Sequence, residues 1–170
     1  IALLASSVSD IAEQAAVALR NLCSVPENML KAVQEGALPP LITMLRSFEE
    51  RLQALAAACL RNISLEAHNK AFVVEAGALP PLVALLASTH SGVQEHACAA
   101  LRVLSSLPYN QQRLIEEGAI GGLVDLLRSK SKDVQENAAG ALRNLSMKGD
   151  AAVRIVEEGG LGFLIELLRS

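Results

Sequence analysis

The chain has 170 residues, 51% of them hydrophobic, a net charge of −3 and only 2% aromatic residues. Excess basic charge and stacking aromatics, the features nucleic-acid binders rely on, are both missing, so nucleic acid is not an expected partner. No run approaches the roughly 20 apolar residues that span a bilayer, so membrane insertion is not expected either.

The chain opens on IALLASS, which has no charged leader and is too short for the apolar segment of a signal peptide. Ile1–Ser6 matches Leu41–Ser47 and Leu82–Ser88 and reads as the tail of a helix. Asp10 is expected to cap the next helix, which runs to about Leu22 or Cys23. Pro26 then breaks the chain, and a short helix is expected over about Glu27–Gln34, ended at Gly36 by a left-handed residue. Pro39-Pro40 suit the first turn of a further helix, where a missing N–H costs nothing, and this helix reaches about Arg46. The cycle then returns with a long helix near Glu50–Ser64, a short one near His68–Glu75, Gly77 and Pro80-Pro81. Later turns fall at Gly118, with Gly121-Gly122 in place of the prolines, and at Gly159, followed by Gly162-Phe163.

The cycle has a fixed length. Val134–Ser146 reads VQENAAGALRNLS; 41 residues earlier Val93–Ser105 reads VQEHACAALRVLS. The same step leads back to Leu52–Ser64, LQALAAACLRNIS, and to Ile11–Cys23, IAEQAAVALRNLC. A constant period of this size marks a stacked solenoid, because one unit cannot bury its apolar stripe alone. The expected fold is therefore an all-α solenoid forming one continuous array over 1–170. It divides into a partial repeat 1–34, repeats 35–75, 76–116 and 117–157, and a partial repeat 158–170. A start in mid-repeat without Met leads to the expectation that the chain is a piece of a longer array.

At 100° per residue, Val134, Ala138, Ala141, Leu142 and Leu145 form the inward stripe of the long helix. Glu136, Gly140, Arg143 and Asn144 face out, as do Glu13, Val17, Arg20 and Asn21; Ala54, Ala58, Arg61 and Asn62; and Glu95, Ala99, Arg102 and Val103. An outward arginine thus recurs in all four copies and an asparagine in three. With neighbouring helices about 8–10 Å apart, four arginines span roughly 30 Å. That matches about nine residues of extended peptide. Two readings stand for this row. The guanidinium forks can bind carboxylates of a ligand, or Arg20, Arg102 and Arg143 can pair with Glu13, Glu95 and Glu136 in the same or adjacent repeats. Arg61 is the best ligand contact, because Ala54 leaves it without a local glutamate. The asparagines can clamp a peptide backbone or bond to the next repeat. Val103 interrupts their row and leaves a more apolar spot beside Arg102.

The combination EGALPPLxxLL, a spacer, and VQExAAxALRNLS resembles the armadillo repeat over essentially the whole chain. The resemblance implies a right-handed superhelix of three-helix repeats whose third helices line a concave groove for extended peptides. In the nuclear-import adaptors of that family a Trp stands four residues before the Asn. Val17, Ala58 and Gly140 occupy those positions here, so the groove looks catenin-like, a type in which positive side chains meet acidic partners. The expected groove set is Arg20, Asn21, Arg61, Asn62, Arg102, Val103, Arg143 and Asn144, with Glu95 and Glu136.

Nothing points to catalysis, a cofactor or a metal. His68, His90 and His96 are scattered, and Glu116-Glu117 and Glu157-Glu158 sit before turns as surface acids. Gly121-Gly122 lacks the Lys-Ser/Thr of a phosphate loop. Cys23, Cys59 and Cys98, odd in number and inside helices, are expected to be reduced and packed, which places the chain in the cytoplasm or nucleus. The expected function is a non-enzymatic scaffold binding an extended acidic peptide. The alternative is a structural segment acting through its ends or convex side. Head-to-tail self-association is a further expectation, since Leu161, Leu164, Ile165 and Leu168 lack a covering long helix and Ile1–Ser6 duplicates the register of Ile165–Ser170.

Overall fold

The structure is a computed structural model that describes residues 1–6 and 8–169; Ser170, the end of that register match, lies outside the described residues. Among the described residues there are twelve α-helices, two short 3-10 turns and no strand. The long helices are α1 (Ser9–Leu22), α4 (Glu50–Ile63), α7 (Ser91–Ser105) and α10 (Lys132–Leu145). Between them lie short helices α2 (Pro26–Gln34), α5 (Asn69–Glu75), α8 (Pro108–Glu116) and α11 (Gly149–Glu157). Each short helix turns into a middle helix: α3 (Leu38–Leu45), α6 (Leu79–Ala84), α9 (Ala119–Leu126) or α12 (Gly160–Leu167).

The punctuation has physical causes. Gly36, Gly77, Gly118 and Gly159 all have φ between 76° and 87°, the left-handed conformation that reverses the chain between short and middle helix. Pro39-Pro40 and Pro80-Pro81 lie in the first turns of α3 and α6. Pro26 does not precede α2 but opens it at the first helical position, where it has no hydrogen bond to forfeit. Asp10 is not a cap: α1 begins at Ser9 after Val8, and Asp10 lies within the first turn. Its charge there complements the helix dipole instead.

The long helices stack in sequence, α1 on α4, α4 on α7 and α7 on α10, with the middle helices α3, α6 and α9 packed on the long helices that follow them. Alanines allow the close approach: Ala56, Ala57, Ala97, Ala100, Ala138 and Ala141 are wholly buried along the stack. The largest side chains filling the space between layers include Leu60, Leu101, Leu104, Leu123, Leu142 and Leu145. The inward stripe Val134, Ala138, Ala141, Leu142 and Leu145 is fully buried as expected, whereas Ala58 and Ala99, expected to face out, are buried as well, because adjacent long helices close over these small side chains. Cys23, Cys59 and Cys98 are free and buried in this core, and the Cys59 thiol donates to the Ala16 carbonyl at 3.3 Å.

Two polar side chains recur at the repeat period and pin the helices to one another. Asn28, Asn69 and Asn110 each donate to a carbonyl near the end of the preceding long helix, those of Leu22, Ile63 and Leu104. Gln53, Gln94 and Gln135 donate to the Ser47, Leu86 and Leu127 carbonyls at the ends of the middle-helix segments. Carbonyls that the helix ends leave orphaned are thereby satisfied inside the array. No single helix among the described residues is long and apolar enough to cross a membrane.

Candidate peptide-binding groove

Because the long helices stack in register, equivalent positions on them form rows. Arg61 is exposed, and its Nη1 donates to Asn62 Oδ1 at 3.3 Å. Asn62 Nδ2 in turn donates to the Arg20 carbonyl of the preceding repeat at 3.1 Å. The arrangement returns at α10: Arg143 Nη2 donates to Asn144 Oδ1 at 3.4 Å, and Asn144 Nδ2 donates to the Arg102 carbonyl at 3.2 Å and to Ser105 Oγ at 3.0 Å. Each asparagine is therefore a bracket. Its donor holds the previous repeat and its acceptor steadies the arginine beside it. Of the two readings of the asparagine row, bonding to the neighbouring repeat is the one these distances show for Asn62 and Asn144. Asn21 is exposed and makes no such bond.

Arg102 behaves differently. Val103 offers no amide, and Arg102 crosses to the next repeat, where Nη1 donates to Glu136 Oε1 at 3.0 Å and Asn137 Oδ1 at 3.1 Å. It lies over Gly140, where an added Cβ would stand 2.9 Å from Arg102 Cδ and Nε. Glycine at that position thus makes room for the crossing arginine. Glu13 pairs with Arg51, an arginine that the periodic reading of the outward face did not single out. With Glu13 and Glu136 engaged across repeats, Arg20, Arg61 and Arg143 have no carboxylate partner among the described residues. None of the arginines pairs with the glutamate two turns earlier in its own helix.

Between α4, α7 and α10 lies an open cavity of about 270 Å³ lined by Arg61, Glu95, His96, Ala99, Asp133 and Glu136. It brings the expected residues Arg61, Glu95 and Glu136 together, and adds His96 and Asp133. His96 is half-buried, and burial pushes its pKa below the usual histidine value; Glu95 opposes the shift, while Arg20 and Arg61 reinforce it. The face thus combines fixed amides, three arginines without a carboxylate partner among the described residues, the carboxylates of Glu95, Asp133 and Glu136, and a half-buried imidazole, an array suited to holding polar groups. Ser105, Asn137 and His96 are not in the expected set; Ser105 recurs as Ser64 and Ser146 at the ends of other long helices, Asn137 stands where His96 stands one repeat earlier, and only contact shows what they do.

The armadillo/beta-catenin-like repeat model matches residues 26–65, 66–106 and 108–147. The chain belongs to the armadillo repeat family. The family frame starts each unit at the short helix, whereas the frame 35–75, 76–116 and 117–157 starts it near the middle helix, so both divide one array at different points. A computationally designed armadillo repeat protein for modular peptide recognition is 30% identical, with a TM-score of 0.94 over 100% of this chain and 73% of its own. A designed armadillo repeat protein solved in complex with the peptide (KR)4 is also 30% identical, with a TM-score of 0.92 over 99% of this chain and 72% of its own. A third structure, an engineered protein, is 34% identical with a TM-score of 0.94, covering 99% of this chain and 70% of its own. No curated protein matches the sequence. This armadillo array is accordingly a right-handed α-solenoid of three-helix repeats and a protein-binding scaffold, a class that is generally non-enzymatic.

Proposed function

We propose that the groove binds an extended acidic peptide, and that Arg20, Arg61 and Arg143 receive its carboxylates. The observation that carries this reading is that those three arginines have no carboxylate partner among the described residues, while Glu13 and Glu136 are engaged by Arg51 and Arg102. A guanidinium without an internal partner has its paired donors free for a ligand. The asparagine brackets hold Arg61 and Arg143 in place, so less side-chain freedom is lost on binding. The designed neighbour that holds (KR)4 binds a basic peptide; the unpaired arginines here favour the opposite charge. Titration calorimetry with a nine-residue Glu-rich peptide tests the reading. Arg61→Glu combined with Arg143→Glu should abolish binding while melting barely changes, and rising salt should weaken the wild-type complex. Equal binding by the double variant would place the ligand on another face. The buried, reduced cysteines favour a reducing setting, cytoplasm or nucleus.

A second reading concerns association of this polypeptide with itself. Leu161, Ile165 and Leu168 are exposed, and an apolar cavity of about 440 Å³ at the opposite end is lined by Leu3, Leu4, Leu19 and Leu22. We infer head-to-tail stacking of these two surfaces, a contact that need not close. Light scattering from micromolar to several hundred micromolar should show mass rising with concentration, and a constant monomer mass would exclude it.

A further inference from the structure

The asparagine bracket is missing at one junction, and the consequences are concentrated there. At the α7–α10 junction, Asn144 Nδ2 meets both the Arg102 carbonyl and Ser105 Oγ, and Ser105 Oγ itself donates to that carbonyl at 2.9 Å. At the α4–α7 junction the equivalent residues are Arg61, Ser64 and Val103. Ser64 is 0% exposed and its Oγ has no hydrogen-bond partner. Among the described residues no donor meets the Arg61 carbonyl either. Asn69 and Asn110 also leave a buried Oδ1 unpartnered, but both still donate through Nδ2, whereas the Ser64 hydroxyl makes no bond of either kind.

A buried hydroxyl without a partner lowers stability, and an asparagine at 103 would supply the missing donor, as it does at 144. Valine there opposes the local rule that the equivalent positions obey. Such exceptions concentrate where a surface serves a ligand rather than the fold. The surroundings agree. Val103 is half-buried at the groove face, and the neighbouring Arg102 turns away to Glu136. Ala99, one turn earlier, keeps the adjacent surface low and apolar.

Resting on the acidic-peptide reading, we propose that Val103 is the specificity-determining residue of the groove and receives an apolar side chain of the extended ligand, flanked by acidic residues that meet Arg61 and Arg143. The ligand class is thereby narrowed from any acidic segment to an acidic segment with one apolar anchor. The two brackets at Asn62 and Asn144 fix orientation, and the interruption between them fixes register.

The test uses fluorescein-labelled nine-residue Glu-rich peptides with a single Leu, Ala or Asn moved through each position, binding measured by anisotropy to wild type, Val103→Asn and Val103→Ala. Wild type should favour Leu over Asn at one position by about tenfold, as partial burial of one leucine side chain implies. Val103→Asn should lose that preference while melting at the same temperature or about 2–4 °C higher. A lower melting temperature for Val103→Asn, or a Leu preference unchanged in that variant, would show valine to be packing only and overturn the proposal. Equal affinity of wild type for Leu and Asn peptides, with Arg61→Glu still weakening all of them, would remove this inference and leave the acidic groove standing. Absence of binding by every peptide would remove both.

Discussion

Asn144 reaches back a full repeat to donate its Nδ2 to the Arg102 carbonyl, 3.2 Å away. The same side chain steadies Arg143 and satisfies Ser105, so one amide couples two repeats and orients a groove cation. Asn144→Ala should therefore cost about 1–3 kcal/mol, because it strands partly buried polar groups. Asn21→Ala, at an exposed position without the cross-repeat bond, should stay within about 0.5 kcal/mol. Urea denaturation of the two variants checks the contrast; equal losses would mean that the bracket is not what couples the repeats.

The two faces of α10 should separate cleanly in stability. Leu142 is buried against the array while its neighbour Arg143 is exposed. Leu142→Ala should cost about 2–5 kcal/mol, as should Leu101→Ala, whose side chain is fully buried. Arg143→Ala should cost well under 1 kcal/mol. If chemical denaturation ranks Arg143 above Leu142, the long helix is rotated relative to the arrangement described.

His96 supplies a pH dependence with a definite sign. Burial lowers its folded-state pKa below the unfolded value, so between the two values the unfolded chain binds more protons. The contribution to stability is fully present above the unfolded pKa of about 6.5 and is lost as pH falls from there through the folded value. His96→Gln should flatten the slope of stability against pH in that acid range, measured by denaturation at a series of pH values. An acidic peptide that draws a proton onto His96 should also bind more tightly to wild type at low pH than to the variant, provided its own carboxylates stay ionised.

The thiols should be silent in the folded state. Burial pushes Cys59 and Cys98 up to about 12, and Cys23 moves in the same direction for the same reason. At pH 8 a thiol-reactive dye should label Cys59 and Cys98 negligibly in native buffer and fully in guanidinium. Rapid native labelling would mean that the α1–α4–α7 stack opens readily.

How much of this was legible beforehand follows from what periodicity can and cannot encode. The recurrence of VQENAAGALRNLS at a constant spacing, with Gly36, Gly77, Gly118 and Gly159 at matching turns, determines the solenoid and the facing of its long helices. Only one face of each helix carries the apolar stripe, and only a left-handed residue turns the chain at those points. Helix ends were less legible. The residue type of Asp10 suits a cap, yet the helix begins at Ser9 after Val8, where backbone geometry outweighs side-chain preference.

Partnership across repeats was decided only by the tertiary structure. Glu13 and Glu136 stand in the same helical register relative to Arg20 and Arg143, but they pair with Arg51 and with the crossing Arg102. The amides of Asn62 and Asn144 face the preceding repeat, and burial leaves the Ser64 hydroxyl without a partner among the described residues. A period fixes which residues lie on a face, because that depends on the rotation per residue within one helix. Which of those residues meet depends on the offset and angle between successive helices, which arise from packing Leu and Ala side chains many residues apart.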